Sequence, residues 1–237
     1  MYCWILYLIS FPYEAVELVS PTVQMNRFPG LVCSRLPETT DNFYGREAEL
    51  LQTRQALDPS RLGQKAALLY GIGGSGKTQL ALRHIYRYRD RYSAIVWVDA
   101  STRDHATSSL DEAAATMSSS WPRDTPSVHS GRDIKSLLRV TSRLRSTRYT
   151  NWLLVIDNAD GLGEGALAEY IPACGFGSIL FTSTRDLAWS GFKQDDRISV
   201  GGLDHESSYA VLAGVTQRAG TIDEGADLHG YLKCNRC

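Results

Sequence analysis

A glycine-rich loop carries the strongest chemical signal in the sequence. Residues 71–78 read Gly-Ile-Gly-Gly-Ser-Gly-Lys-Thr, which matches the spacing G-x-x-x-x-G-K-[ST] in full. Such glycines let backbone N–H groups turn inward around a phosphate, and a helix that starts at the loop adds partial positive charge. A lysine ammonium then reaches the outer phosphates, and the following hydroxyl can bind Mg²⁺. The predicted phosphate-binding residues are Gly71, Gly73, Gly74, Ser75, Gly76, Lys77 and Thr78.

A carboxylate at the end of an apolar run is the second signal. Residues 151–160 read Asn-Trp-Leu-Leu-Val-Ile-Asp-Asn-Ala-Asp, so Asp157 ends a predicted buried strand. Ligands of open parallel sheets bind at the carboxyl ends of the strands. We therefore predict that Asp157 holds the Mg²⁺ through water and that Thr78 completes the metal site.

The residue after Asp157 limits the expected rate of hydrolysis. A carboxylate at that position could polarise the attacking water, whereas this chain has Asn158, and an amide cannot act as a base. Asp160 is the candidate substitute. We expect slow or negligible hydrolysis.

The elements that position these residues alternate along the chain. Short apolar runs are typical of buried strands, and the stretches between them show helical periodicity or Ala-rich composition. Uniformly apolar strands that alternate with helices favour a parallel sheet covered on both faces. The predicted strands are 65–70, 93–98, 152–156, 178–182 and 197–200, and the predicted helices are 43–51, 78–89, 107–117, 132–148 and 204–213.

Composition and charge narrow the function classes. The 237 residues are 43% hydrophobic and 22% charged, which excludes collagen-like, mucin-like and wholly disordered chains. With 25 Lys+Arg against 26 Asp+Glu, the formal net charge of −1 gives no global reason to bind nucleic acid or an anionic membrane. Five irregularly spaced cysteines favour a reducing compartment. We expect a cytoplasmic protein without a nucleic-acid or membrane partner.

One basic stripe stands out against this near-neutral background. Arg83, Arg87 and Arg91 recur on one face of a predicted helix, interleaved with Tyr86 and Tyr88. Nucleic-acid contact is one interpretation of this pattern. A solvated helix face is the favoured one, because the overall charge is near zero.

The order of the motifs resembles the NB-ARC nucleotide-binding domain of STAND ATPases, the switch module of NLR-type receptors and apoptosome scaffolds. The run "LLVIDNAD" is typical of fungal members. The resemblance covers roughly residues 40–232. Besides the loop and the acidic strand end, it rests on the runs FYGRE at 43–47, VWVDA at 96–100, GSILFTSTR at 177–185 and VGGLD at 200–204.

This resemblance implies a P-loop three-layer α/β sandwich with a five-stranded parallel sheet in the order 5-1-4-3-2. It implies ATP or ADP with Mg²⁺ as ligands, Arg46 as a nucleotide contact and Arg185 as the group that senses the γ-phosphate. The expected organisation is a poorly ordered leader over 1–38, the nucleotide-binding domain over 39–215, and the truncated start of a helical subdomain over 216–237.

Three functions are compatible with these features. The first is a switch that binds ADP at rest and ATP when active, with protein partners reached through flanking domains and oligomers possible in a full-length protein. The alternative is an active AAA+-like NTPase that acts on nucleic acid or protein, and the third is a non-functional truncated fragment. Asn158 and the lack of an obvious arginine finger favour the switch.

Overall fold

The computed structural model describes residues 31–39, 43–120, 132–145, 150–162, 166–203, 205, 207–209 and 211. Within these ranges, six parallel strands form one sheet and five α-helices surround it. The strands are β1 (Leu31–Val32), β2 (Lys65–Tyr70), β3 (Ala94–Asp99), β4 (Trp152–Asp157), β5 (Ser178–Ser183) and β6 (Arg197–Ser199). The helices are α1 (Glu47–Ala56), α2 (Lys77–Tyr88), α3 (Arg103–Ser120), α4 (Arg132–Leu144) and α5 (Leu167–Tyr170).

The sheet has the strand order β1-β3-β4-β5-β2-β6, with every neighbouring pair parallel. The predicted order 5-1-4-3-2 corresponds to β6-β2-β5-β4-β3 and is confirmed, as is the α/β class. The predicted count of five strands is corrected to six. The additional strand β1 pairs with β3 and lies in the segment predicted as a leader. A two-residue strand is too short to show the alternation that would reveal it in the sequence.

The sheet separates two hydrophobic cores. Side chains alternate between the two faces of a strand, so Leu154 and Ile156 of β4 pack towards α3 and α4, and Leu153 and Val155 pack towards α1 and α2. Coverage of both faces by helices explains why these strands are apolar throughout. The arrangement brings the carboxyl ends of the strands to one edge, where the predicted site residues lie.

Two predicted elements fall largely beyond the described ranges. Of the helix predicted over 204–213, the structure describes only residues 205, 207–209 and 211. The whole segment 216–237 lies outside the described residues. In the part of the chain that is described, no helix has the length and apolar character needed to cross a bilayer.

Helix α2 contains a buried histidine that makes folding sensitive to acid. His84 is 1% exposed, and its Nε2 lies 2.8 Å from the Tyr92 hydroxyl. Burial, helped by the charge of Arg91, lowers the pKa of His84 to about 3. An unfolded histidine has a pKa of about 6.5, so the unfolded state takes up a proton first as the pH falls. The stability contributed by neutral His84 is therefore complete above about pH 6.5 and is lost as the pH falls towards 3.

We expect His84→Gln to lose less stability than the wild type between pH 7 and pH 4.5, because glutamine does not titrate. The free energy of unfolding, measured by urea denaturation at both pH values, checks this. His205→Gln is the matched control, since His205 is exposed, and it should lose as much stability as the wild type. Equal acid loss in His84→Gln and the wild type would contradict the assignment.

Candidate nucleotide-binding site

The loop 71–76 joins the end of β2 to the start of α2 at the carboxyl edge of the sheet. Gly74 and Gly76 have φ values of 77° and 92°, in the left-handed region that favours glycine. The Lys77 Nζ donates hydrogen bonds to the carbonyl oxygens of Gly71 and Ile72, each at 2.8 Å. The predicted loop thus forms a strand–turn–helix with its lysine ammonium held inside the turn.

Gly71 allows the loop to lie directly against the end of β6. A Cβ atom at Gly71 would lie 2.2 Å from the carbonyl oxygen of Val200. The same Val200 donates its backbone N–H to the carbonyl oxygen of Tyr70 at 2.7 Å. The glycine is therefore required for a close backbone approach, and its part in phosphate binding stays a prediction.

Asp157 lies at the centre of a buried hydrogen-bond network. The Asp157 Oδ1 accepts hydrogen bonds from the hydroxyls of Thr78, at 3.0 Å, and Thr182, at 2.5 Å. The Thr182 hydroxyl in turn accepts the backbone N–H of Asn158 at 2.9 Å. The structure therefore brings the two predicted metal-site residues, Thr78 and Asp157, into direct contact.

Burial dominates the electrostatics of this carboxyl. Asp157 is 4% exposed, and burial raises its pKa above the usual aspartate value. The hydrogen bonds from Thr182 and Thr78 and the charge of Lys77 oppose this rise, while the negative charge of Asp99 adds to it. Asp99 ends β3 directly beside Asp157 in the strand register. A cation at this site would relieve the unfavourable burial of Asp157.

Asp160 is engaged by the segment that follows β5. Its Oδ1 and Oδ2 accept hydrogen bonds from the Thr184 backbone N–H and hydroxyl, each at 3.0 Å. Burial raises the pKa of Asp160, but the hydrogen bonds from Thr184, together with smaller contributions from the Asp160 backbone and the Ser183 side chain, outweigh burial and leave the pKa below the usual value. Asp160 therefore holds the segment after β5 in place. Because both of its oxygens already accept hydrogen bonds, Asp160 is a weaker candidate for the base that Asn158 cannot supply.

Arg185 follows Thr184 at the same edge of the sheet. Its side chain is exposed, and its backbone N–H donates to the Ser183 hydroxyl at 3.1 Å. Within the described ranges, its guanidinium makes no hydrogen bond or ion pair. The predicted γ-phosphate sensor thus lies at the correct edge of the sheet, and its role stays a prediction.

Arg46 closes one side of a cleft beside the loop. Its Nη2 donates hydrogen bonds to the carbonyl oxygens of Ser75, at 3.2 Å, and Gly201, while its Nη1 contacts Glu49 Oε1 at 2.8 Å. Arg46 itself has a left-handed φ of 66° and immediately precedes α1. The predicted nucleotide contact is thus a wall residue that connects the loop to the segment after β6.

The cleft has a volume of about 500 Å³, within the range of about 300–1,000 Å³ that is usual for small-molecule sites. Its loop side exposes backbone, and its other side is apolar and aromatic. A larger cleft of about 620 Å³, between α1 and β6, carries no glycine-rich loop. The residues that line the loop-side cleft include Phe43, Tyr44, Ile72, Ser75 and Leu203.

The residues present fit a nucleoside phosphate and Mg²⁺. The Ser75 hydroxyl is buried within the loop and has no hydrogen-bond partner among the described residues, so it is available to a phosphate oxygen. Thr78 and Asp157 offer the hard oxygen ligands that Mg²⁺ prefers. No group of three or more His, Cys, Asp or Glu in the described ranges forms a metal cage.

Sequence reasoning missed Thr182 and Asp99 as parts of the site. Asp99 ends β3 and Thr182 is the last residue but one of β5, and both strands neighbour β4, so the carboxyl-edge rule that selected Asp157 could also have selected them. Each lies within a run that supported the family resemblance, Asp99 in 96–100 and Thr182 in 177–185, but neither was assigned a role in the site. The contact between Asp160 and Thr184 depends on the path of two turns and had no sequence signal.

The fold and site together define a P-loop nucleotide-binding α/β protein. A family model described as "AAA ATPase domain" matches residues 42–173. Because this match covers more than half of the chain, the protein belongs to that family. Proteins of a P-loop ATPase family use a nucleotide and usually Mg²⁺.

A curated relative is consistent with the predicted NB-ARC-like P-loop domain. A nucleotide-binding leucine-rich repeat (NLR)-like protein of Hyaloscypha variabilis is 32% identical over 160 residues, which cover 60% of this chain and 15% of the relative. The chain therefore spans a small part of that relative's length.

One solved structure supports the fold, and a second is more distantly similar. Cdc6p from Pyrobaculum aerophilum is similar with a TM-score of 0.56 and 19% identity, covering 78% of this chain and 52% of that one. A STAND protein with a tetratricopeptide repeat sensor from Pyrococcus horikoshii has a TM-score of 0.47 and 19% identity, covering 81% and 27%.

We expect Gly71→Ala to destabilise the nucleotide-free protein by about 1–3 kcal/mol, because the new methyl group overlaps the Val200 carbonyl. Gly73→Ala is the matched control, since a Cβ there meets no atom within 4 Å. Thermal unfolding of both variants checks this. Equal unfolding midpoints for the two variants would contradict the close approach of β6 to the loop.

Proposed function

We propose that the protein is the ADP/ATP-binding core of a molecular switch in an NLR-like signalling protein. In this proposal, ADP marks the resting state and ATP the active state, and nucleotide exchange rather than rapid turnover changes the state. The observation that carries it is the contact of Thr78 with Asp157 beside a complete phosphate loop. The family membership supports nucleotide binding, and the NLR-like relative supports the signalling context.

Each part of the nucleotide has a matching part of the site. The loop N–H groups, the Ser75 hydroxyl and the Lys77 ammonium would bind the phosphates. Thr78 and Asp157 would hold Mg²⁺, which supplies charge neutralisation between the phosphates when bound. The apolar cleft beside Phe43 and Leu203 would take the base, and an aromatic or aliphatic wall suits a flat ring.

The arrangement around β4 supports slow hydrolysis. Asn158 cannot accept a proton from the attacking water. Its Nδ2 instead lies 3.5 Å from Asp157 Oδ2 and acts as a donor to that carboxylate. Asp160 already accepts two hydrogen bonds from Thr184. Water would therefore be activated poorly, which suits a protein whose bound ATP must persist as a signal.

Partners and location belong to the same proposal. Protein partners and oligomers would act through domains attached to this core, as in the STAND class. A cytoplasmic location is supported by the free thiols of Cys33 and Cys174. The thiol of Cys33 is buried, and burial raises its pKa to about 12, so it is an unreactive core residue.

We expect Lys77→Ala to abolish ATP and ADP binding in titration calorimetry, because the ammonium inside the loop is lost. Lys193→Ala is the control, since Lys193 is exposed and lies in the segment before β6, outside the cleft lining. It should bind as the wild type does. Unchanged affinity in Lys77→Ala would reject the site itself.

We expect sustained ATP hydrolysis by the wild type to stay below about 1 s⁻¹, the low end of ordinary enzyme turnover. A coupled phosphate-release assay at saturating ATP measures this rate. Faster turnover would favour the active NTPase over the switch. Because calorimetry tests binding separately, the two parts of the proposal can fail independently.

A further inference from the structure

The outer surface of α1 and α2 carries three arginines around one tyrosine. The guanidinium carbons of Arg54, Arg87 and Arg91 lie 5.7, 6.0 and 5.5 Å from the centroid of the Tyr88 ring. These distances are within the ~6 Å at which a cation is attracted to an aromatic face. We call these four residues the arginine–tyrosine cluster. Stacking on one ring restricts all three arginines before any partner arrives.

The cluster is accessible and separate from the nucleotide cleft. Arg87 and Arg91 are exposed, Arg54 and Tyr88 are half-buried, and none of the four lines the cleft. One large apolar side chain adjoins the cluster on α1: Leu51 is 48% exposed and precedes Arg54 by three residues, so the two lie on the same helix face. Arginine and tyrosine are enriched at the centres of protein interfaces, where they carry a large share of the binding energy.

The charges at this surface favour a carboxylate partner. Three guanidinium groups meet around the Tyr88 ring, which concentrates positive charge on one surface of a chain whose formal net charge is only −1. Guanidinium groups bind carboxylates through paired hydrogen bonds in a fixed planar geometry. Arg87 already binds one carboxylate, since its Nη1 donates a single hydrogen bond to Glu47 Oε2 at 2.8 Å between α2 and α1. An acidic segment would extend this pattern to Arg54 and Arg91.

Two observations disfavour a nucleic acid at the same surface. The Tyr88 ring is occupied by guanidinium groups, so it is not free to stack on a base. Carboxylates also interrupt the positive charge: Glu47 is paired with Arg87, and the charges of Arg91 and Arg54 reach Asp58. A phosphate backbone carries a charge at every nucleotide and would meet these carboxylates, whereas a peptide can place its few acids opposite arginines.

We propose that the arginine–tyrosine cluster is a docking surface for an acidic segment of a protein partner. Carboxylates of the segment bind the outward edges of Arg54, Arg87 and Arg91. An apolar side chain of the segment packs on Leu51. This surface would connect the core to a partner without using the nucleotide site, so it goes beyond the proposed function.

The test is fluorescence anisotropy with a labelled peptide of alternating glutamate and leucine. The wild type should bind this peptide, and the same peptide with glutamine in place of glutamate should bind at least about tenfold more weakly. The double variant Arg87→Gln with Arg91→Gln should lose affinity for the acidic peptide by at least about tenfold. Replacing both arginines by lysine should give a smaller loss, because the charge stays and the planar geometry is lost.

Arg139→Gln is the matched control, since Arg139 is exposed on α4, across the sheet from the cluster. It should change the affinity less than twofold. Nucleotide affinity and the thermal unfolding midpoint, measured on the same samples, should not change in any variant. These readouts separate a failure of this surface from a failure of the nucleotide site or of folding.

Three results would overturn the proposal. One is the absence of acidic-peptide binding by the wild type. Another is peptide binding that the double glutamine variant leaves unchanged. The third is a single-stranded oligothymidylate that binds as tightly as the acidic peptide and is weakened by the same variant, which would identify a nucleic-acid surface.

Discussion

A single carboxylate oxygen connects the parts of the nucleotide site. The Asp157 Oδ1 accepts hydrogen bonds from Thr78 at the start of α2 and from Thr182 near the end of β5. A helix and two strands therefore meet at one buried, negatively charged atom. Burial opposes the charge, as the raised pKa of Asp157 indicates. The site is thus built around a charge that the apolar sheet tolerates only because polar partners surround it.

Local sequence motifs predicted the strands and the loop well, because each depends on neighbours in the chain. The run at 65–70 predicted β2 with the bounds that the structure has, and the glycine spacing predicted the turn after it. Parallel pairing followed from strands that are apolar throughout, since such strands need cover on both faces. The edge strand β1 escaped prediction because two residues carry no periodic signal.

Contacts between turns that are far apart in the chain could not be predicted from the sequence. Asp160 was selected as a candidate base from its position after β4, yet its two oxygens are occupied by Thr184. The regular spacing of Arg83, Arg87 and Arg91 indicated the stripe of arginines from the sequence alone. The packing of Arg54 from α1 on Tyr88 could not be predicted, because it depends on how the two helices meet. Sequence patterns thus locate chemical groups, and tertiary packing decides which of them remain available.

Arg46 gives the cleft a particular mechanical property. Its guanidinium bridges the carbonyl of Ser75, in the phosphate loop, and the carbonyl of Gly201, just beyond the last strand of the sheet. The chain that leaves the sheet therefore begins as part of the cleft wall. A pull on that chain would be transmitted to the loop through one side chain, and a ligand that reorders the loop would push back along the same path. Tension on the chain after β6 and the presence of a ligand in the cleft would therefore be coupled through the bond between Arg46 and Gly201.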